Sequence, residues 1–286
     1  MKIISVLNMK GGVAKTTTSV NLAAGLSRKG KRVLIIDADS QGNSTRFFMP
    51  NFKNLDMRKF NEIEVSEKLD IRNATEIIRN YIKENLEKKN INNLLLSDGS
   101  DIHECIYKTD YENLDIIPSL GTELIKTEKL LSITNGLTHK RLKKALREVR
   151  HEYDVVIIDN APTFNNITVN SLFASNEVII PLKPSMFELD GLVNTLLEVF
   201  EFEDEYECEY TIRLLMNMIP RGNRPSYINF IEKMKDFYPD NIIETTIGYQ
   251  DAVASKSTMT ATLLIDSKSK VGQDYLNLID ELIKTM

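Results

Sequence analysis

Two lysines, Lys10 and Lys15, bracket a glycine pair in the stretch N-M-K-G-G-V-A-K-T-T, Asn8 to Thr17. An apolar run, Ile3 to Leu7, precedes it, and a helix-like segment, Thr18 to Arg28, follows. Strand, glycine turn and helix in that order are the setting of a phosphate-binding loop. The backbone N–H groups of Gly11, Gly12, Val13, Ala14 and the residues behind them would point at the phosphates, and the helix adds the positive end of its dipole. Lys15 would reach the β- and γ-phosphates of a nucleoside triphosphate. Thr16 would place its hydroxyl on Mg²⁺, with Thr17 completing the loop. The strict pattern G-x-x-x-x-G-K-[ST] fails at both glycines, because Met9 and Ala14 stand there. Alanine fits comfortably at position 14 if its φ is negative.

Acids are placed where such a loop needs them. Arg32 to Ile36 is a continuous apolar strand pattern that ends in Asp37-Ala38-Asp39-Ser40-Gln41-Gly42-Asn43-Ser44-Thr45. Asp154-Val155-Val156-Ile157-Ile158-Asp159 is a second such strand with a terminal aspartate, followed by Asn160-Ala161-Pro162. Ligands of open α/β sheets collect at the carboxyl ends of the strands, which places both loops beside the phosphates. A carboxylate at the end of a buried strand costs free energy unless a cation or donors meet it. Magnesium held through water would satisfy Asp159.

The elements that must position these groups alternate. Ser19 to Leu26 has helical spacing and Gly30 ends that helix. Strand patterns recur at Leu114–Ser119, Glu177–Pro181, Thr211–Met218 and Ile242–Ile247. Helical patterns recur at Leu137–Arg150, after Pro184, at Pro225–Tyr238 and in the tail, where Tyr275, Leu276, Ile279, Leu282 and Ile283 share a face. The expected fold class is therefore α/β: a single P-loop NTPase domain, residues 1–286, with a mostly parallel twisted sheet and helices on both faces. From about residue 47 to 113 the pattern weakens. A charged helix over Glu67–Lys89 and a turn at Asp98-Gly99-Ser100 are expected there, as an insertion in the one domain. The basic face of Leu137–Arg150 suits either solvent or an anionic partner.

The chain has 286 residues, 42% of them hydrophobic and 27% charged, which is ordinary for a soluble globular protein. No apolar run reaches the length of a membrane span. The first strand starts at once, so neither a secretory leader nor a preceding DNA-binding module is expected. Two cysteines, Cys105 and Cys208, form no framework and suit a reducing cytoplasm. A net charge of −5 opposes a strongly basic nucleic-acid binder but allows a local basic patch.

The sequence K-G-G-x-x-K-T, with Lys10 before the glycines, resembles the deviant Walker A motif of the ParA/MinD family of ATPases. D-x-D-x-Q-G-N-x-T (Asp37 to Thr45), Asp159 and P-S-x-F-x-L-x-G (Pro184 to Gly191) resemble its partition branch, closest to the small, Soj-like ParA proteins. The resemblance implies ATP and Mg²⁺ as ligands and an ATP-bound homodimer. Within it Lys10 crosses to the partner's phosphates, Asp39 orients the attacking water and Asp37 supports the metal shell. Asn217 contacts the adenine edge by the same resemblance; on its residue type alone it is equally a turn-former before Pro220. The implied function is an ATPase for plasmid or chromosome partition. It would cycle on non-specific DNA under a ParB-like centromere-binding partner, in the cytoplasm and on the nucleoid, without a membrane. The alternatives are a MinD-like positioning ATPase and a regulatory adaptor without DNA binding. One departure concerns DNA. Small ParA proteins carry arginines in the loop that here reads Gly248-Tyr249-Gln250-Asp251-Ala252-Val253. That leaves Lys256, Lys268 and Lys270 as candidate contacts, with Arg221 and Arg224 as substitutes.

Overall fold

The computed structural model describes residues 1–49, 70–81, 89–96, 101–134, 138–222 and 224–286. In chain order the strands are β1 (Lys2–Val6), β2 (Val33–Ala38), β3 (Tyr107–Lys108), β4 (Leu114–Ile117), β5 (Val155–Asn160), β6 (Glu177–Leu182) and β7 (Thr211–Met216), followed by the short pair β8 (Ile219–Pro220) and β9 (Gly248–Tyr249). The helices are α1 (Lys15–Arg28), α2 (Asn43–Phe48), α3 (Ile71–Tyr81), α4 (Ile91–Leu96), α5 (Gly121–Ile133), α6 (Arg141–Glu148), α7 (Asn166–Ala174), α8 (Met186–Tyr206), α9 (Pro225–Phe237), α10 (Asp251–Thr260) and α11 (Lys270–Ile283).

Seven strands form one sheet in the order β3-β4-β2-β5-β1-β6-β7. Every pairing is parallel except β3 on β4 at the edge. The apolar runs read from the sequence are strands buried on both faces, as parallel sheets require. Along β2 and β5, Val33, Ile35, Val155 and Ile157 enter one core with α1 and α11. Leu34, Ile36, Val156 and Ile158 enter the other with α4, α5 and α6. The expected single α/β domain with helices on both faces is what the chain forms.

Several local expectations need correction. Ile242–Ile247 is not a regular strand: it makes one bridge, Ile242 to Leu214, and Ile247 N–H donates to Met216 C=O. Between them the Glu281 carboxylate of α11 accepts from Glu244 N–H and Thr245 N–H, each at 2.8 Å, and so takes the donors a ladder would need. The segment expected as a helix over Leu137–Arg150 is a 3₁₀ turn, Thr138–Lys140, followed by α6. Of the charged stretch Glu67–Lys89, the described helix is α3; the turn at Asp98-Gly99-Ser100 lies outside the described residues. Within the weak region, Ile91, Leu95, Ile102 and Cys105 are fully buried in the main core, where no core had been legible.

Candidate nucleotide site

The loop after β1 is pinned from below. Asn8 Nδ2 donates to Pro181 C=O at 2.8 Å, while Asn8 Oδ1 accepts from Lys10 N–H at 2.8 Å. Met9 N–H donates to Thr195 Oγ1 of α8 at 3.1 Å. Gly12 and Ala14 then turn the chain through the left-handed region, with φ of +74° and +66°. The condition for a comfortable alanine is therefore not met, and Ala14 holds a conformation that favours glycine. No side chain caps α1, so its first N–H groups face the hollow of the loop. Lys15 is buried and its Nζ donates to Lys10 C=O at 2.8 Å, closing the loop around the ammonium. Burial pulls the Lys15 pKa down, and the nearby Asp159 and Asp39 oppose that shift. Lys10 differs: its Nζ makes no ion pair or hydrogen bond to a described residue.

The acids converge because of register. Asp37 and Asp159 are direct partners across β2 and β5, and Asp159 is also the partner of Val6 at the end of β1. Asp159 is fully buried and accepts from Ser19 Oγ at 3.0 Å and Ser44 Oγ at 2.6 Å. Burial, then the neighbouring Asp37, push its carboxyl pKa upward, against the hydroxyls of Ser44 and Thr16. Asp37 accepts from Thr45 N–H at 2.8 Å and Thr45 Oγ1 at 2.6 Å, and from Asp39 N–H at 3.2 Å. It thereby folds the loop that carries Asp39. One Asp39 oxygen accepts from Gln41 N–H at 2.8 Å. Its other oxygen has no bond to a described residue, and the side chain lines a cavity of about 380 Å³ shared with Gln41, Ala161 and Pro162. Asp159 and Asp39 both act on the Lys15 ammonium, and Asp37 is the strand partner of Asp159. Among the described residues no three acidic or imidazole side chains form a metal cage by themselves, so a divalent cation here would be held by the Thr16 hydroxyl and, through water, by the acids.

On the other side of the loop a cavity of about 510 Å³ runs from Gly12, Ala14 and Thr17 to Asn217, Tyr249 and Gln250. Asn217 forms part of its wall, but its amide is already engaged: Nδ2 donates to Thr18 Oγ1 at 3.1 Å and Oδ1 accepts from Met218 N–H at 2.7 Å. Tyr275 of α11 meets the same Thr18 hydroxyl at 3.2 Å. Gln250 Oε1 is buried without a hydrogen-bond partner. Ser19, Ser44, Thr18, Tyr275 and Gln250 escaped the sequence reading. Only Ser19 carried a legible signal, one helical turn after Lys15 on the same face.

The candidate DNA contacts separate clearly. Lys256, Lys268 and Lys270 are exposed and make no ion pair to a described residue. Arg221 is held by Asp274 at 2.5 Å and lies over Gly248, while Arg224 sits 6.0 Å from the Tyr227 ring.

A parallel sheet with a lysine-bearing glycine loop after its central β1 and acids at the ends of β2 and β5 defines a P-loop ATPase class. The comparisons agree. The model of an AAA domain family matches residues 1–212. The chain is 32% identical to the sporulation initiation inhibitor protein Soj of Bacillus subtilis strain 168, over 98% of each protein. It is 27% identical to the chromosome partitioning protein ParA of Caulobacter vibrioides, over 99% of this chain and 94% of that one. A plasmid partition protein of Borrelia burgdorferi B31, solved with AMPPNP, shares the fold with a TM-score of 0.74 at 24% identity, covering 100% of this chain and 99% of that one. The chain belongs to the ParA/MinD family of P-loop ATPases. No helix among the described residues is long and apolar enough to cross a membrane.

Proposed function

We propose that this chain is an ATP-dependent dimerising ATPase of plasmid or chromosome partition. It would hydrolyse ATP to ADP and phosphate and cycle on non-specific DNA under a ParB-like centromere-binding partner. The observation that carries this reading is the division of labour between the two lysines. Lys15 is enclosed by its own loop, whereas the Lys10 ammonium makes no ion pair or hydrogen bond to a described residue of its own chain. A cation left over beside a phosphate loop suits the triphosphate of a second copy.

In this reading the α1 N–H groups and Lys15 bind the β- and γ-phosphates. Magnesium, held by the Thr16 hydroxyl and through water by Asp159 with Asp37 behind it, would neutralise charge on the same oxygens. The unpaired oxygen of Asp39 orients a water for in-line attack on the γ-phosphorus. The bond from that phosphorus to the β–γ bridging oxygen breaks and ADP leaves. Lys10 of the second copy stabilises the charge that spreads over the transferring group, as an arginine finger does. The base lies in the cavity beside Asn217, which shapes the wall through Thr18, and the free Gln250 Oε1 offers an acceptor to the exocyclic amine of adenine. A regulatory adaptor without DNA binding is the second reading, favoured by the missing loop arginines and by the capture of Arg221 by Asp274.

Lys15→Ala should abolish ATP binding in calorimetry; normal affinity would remove the nucleotide reading. Co-sedimentation of the ATP-loaded wild type with DNA then separates the two outputs.

A further inference from the structure

A third lysine reaches the glycine loop, from the end of a neighbouring strand. Lys183 is the first residue after β6, directly before Pro184. Its backbone is fixed from both sides. Pro181 C=O accepts from Asn8 Nδ2 under the loop, and Leu182 C=O accepts from Asn217 N–H at 2.8 Å beside the base cavity. Ser185 N–H then turns the chain back on Lys183 C=O at 2.9 Å. The half-buried side chain runs to Gly12, where a Cβ on the glycine would stand 3.8 Å from Lys183 Nζ. Apart from the chain neighbours of Gly12, no other described atom comes within 4 Å of that point. Lys183 Nζ makes no ion pair or hydrogen bond to a described residue. Asp159 and Asp39 act on the Lys15 ammonium, so Lys10 and Lys183 remain as two half-buried ammoniums without a described ion-pair partner.

We propose that Lys183 is a further phosphate-binding residue, whose ammonium takes phosphate oxygens of a nucleoside triphosphate beside Gly12. The inference rests on the nucleotide reading above and adds a residue to it. Strand β6 pairs in parallel with β1, so Lys183 and the glycine loop leave the sheet at adjacent carboxyl ends, where ligands of such sheets collect. An ammonium drawn partly out of water without a counter-charge costs free energy, and an anion seated on it recovers that cost. Glycine at position 12 keeps the space between the ammonium and the loop backbone open. Lysine binds phosphate as a point charge, so the contact needs proximity rather than the forked geometry of an arginine. Lys15 approaches through the closed loop and Lys183 from β6, so the two meet the loop from different elements. The phosphates are those of this chain's own nucleotide or those held by a second copy. The chemistry is the same in both cases, and the test separates them.

Lys183→Met keeps the length of the stem and removes the charge. ATP affinity is read with Mg²⁺, by competition against a fluorescent nucleotide, in protein diluted until it sediments as a monomer. Dimerisation is read by sedimentation of concentrated, ATP-loaded protein, and circular dichroism confirms the fold. Losing one charge-assisted hydrogen bond should cost about tenfold or more. A loss of that size in the monomer's ATP affinity assigns Lys183 to its own nucleotide. Unchanged monomer affinity with a loss of that size in dimerisation assigns it to the nucleotide of the second copy. Lys183→Arg, which keeps the charge, should stay within about threefold of the wild type in whichever quantity Lys183→Met lowers. Both quantities within about twofold of the wild type in Lys183→Met overturn the proposal. So does a loss that Lys183→Arg shares in full, because the stem and not the charge would then be responsible. A wild type that binds no ATP overturns the nucleotide reading and this inference together, whereas an unchanged Lys183→Met beside a wild type that binds overturns this inference alone.

Discussion

The aliphatic stem of Lys10 lies across Gly191 of α8, so closely that a Cβ on Gly191 would stand 2.8 Å from Lys10 Cγ. With the bond from Met9 N–H to Thr195 Oγ1, this fixes the loop against α8 at two points ahead of the glycines. Gly191→Ala should push Lys10 off its bed. Alanine improves helix propensity by up to about 1 kcal/mol, so a loss of function here would not be a loss of intrinsic helix stability. ATP affinity should stay within about threefold, while dimerisation and turnover fall at least about tenfold. Sedimentation of the ATP-bound variant and a turnover assay check this; wild-type values in both would mean that Lys10 does not depend on α8.

Ala14 is a strained residue at the start of α1. Its φ of +66° costs an alanine about 1–2 kcal/mol relative to glycine. Glycine gives back part of that gain, about 0.4–1 kcal/mol, through its freer unfolded chain. Ala14→Gly should therefore raise stability by about 0.5–1 kcal/mol in urea melts, and ATP should bind at least as well. A destabilised variant would mean that the left-handed turn is not what the loop adopts.

Asp39 is separated from its neighbours by what its oxygens do. Asp37 accepts from Thr45 and from the Asp39 backbone, and Asp159 accepts from two serines, so removing either disturbs the loops themselves. Asp39 keeps one oxygen on the cavity side, and Asp39→Ala should spare ATP binding while the protein accumulates as an ATP-bound dimer. Wild-type turnover without a partner is expected at about 10⁻² s⁻¹ or slower, the range of switch NTPases with their catalytic cation in place. Unchanged single-turnover hydrolysis in Asp39→Ala would pass the role to another acid.

The parts of this site that were legible in the sequence are those that parallel strands make legible. Strands β2, β5 and β6 are buried on both faces, so Val33–Ile36, Val155–Ile158 and Val178–Ile180 read as unbroken apolar runs, and the site acids Asp37 and Asp159 fall at the ends of β2 and β5. Ile242–Ile247, with three isoleucines and two threonines, also reads as a strand, yet among the described residues it forms only one bridge, because Glu281, far along the chain, accepts from Glu244 N–H and Thr245 N–H. Long-range competition of that kind leaves no local mark. The same holds for Ser44 on Asp159 and Tyr275 on Thr18, which are tertiary meetings of ordinary residues. The sign of φ at Ala14 is likewise set by the closure of the loop around Lys15, not by the residue itself.

Gln250 gives the base cavity its own test. Its buried Oε1 lacks a partner, and an unmet acceptor is costly until a donor reaches it. If the adenine amine is that donor, Gln250→Leu should weaken ATP binding by about tenfold, equivalent to one hydrogen bond of about 1.4 kcal/mol. Its preference for ATP over GTP should narrow, since GTP presents a carbonyl there. Competition with a fluorescent nucleotide measures both; an unchanged ATP-to-GTP ratio would place the base elsewhere.

The proposed DNA binding would rest on three lysines. Lys256 on α10, Lys268 just before α11 and Lys270 at its start are exposed and make no ion pair to a described residue, whereas Arg221 is neutralised by Asp274 and so drops out as a substitute. One copy presents few charges against a chain of net charge −5, so binding should appear only when ATP brings two copies together. Each phosphate neutralised adds about 0.9 to the log–log salt slope, and the ATP-bound protein should therefore show a visibly steeper slope than the ADP form. Lys268→Glu with Lys270→Glu should abolish co-sedimentation with DNA and leave basal ATPase intact, because both side chains lie outside the nucleotide cavity. A double variant that binds as before would clear these residues. No binding by the ATP-loaded wild type even at low salt would put the regulatory adaptor ahead of the partition ATPase.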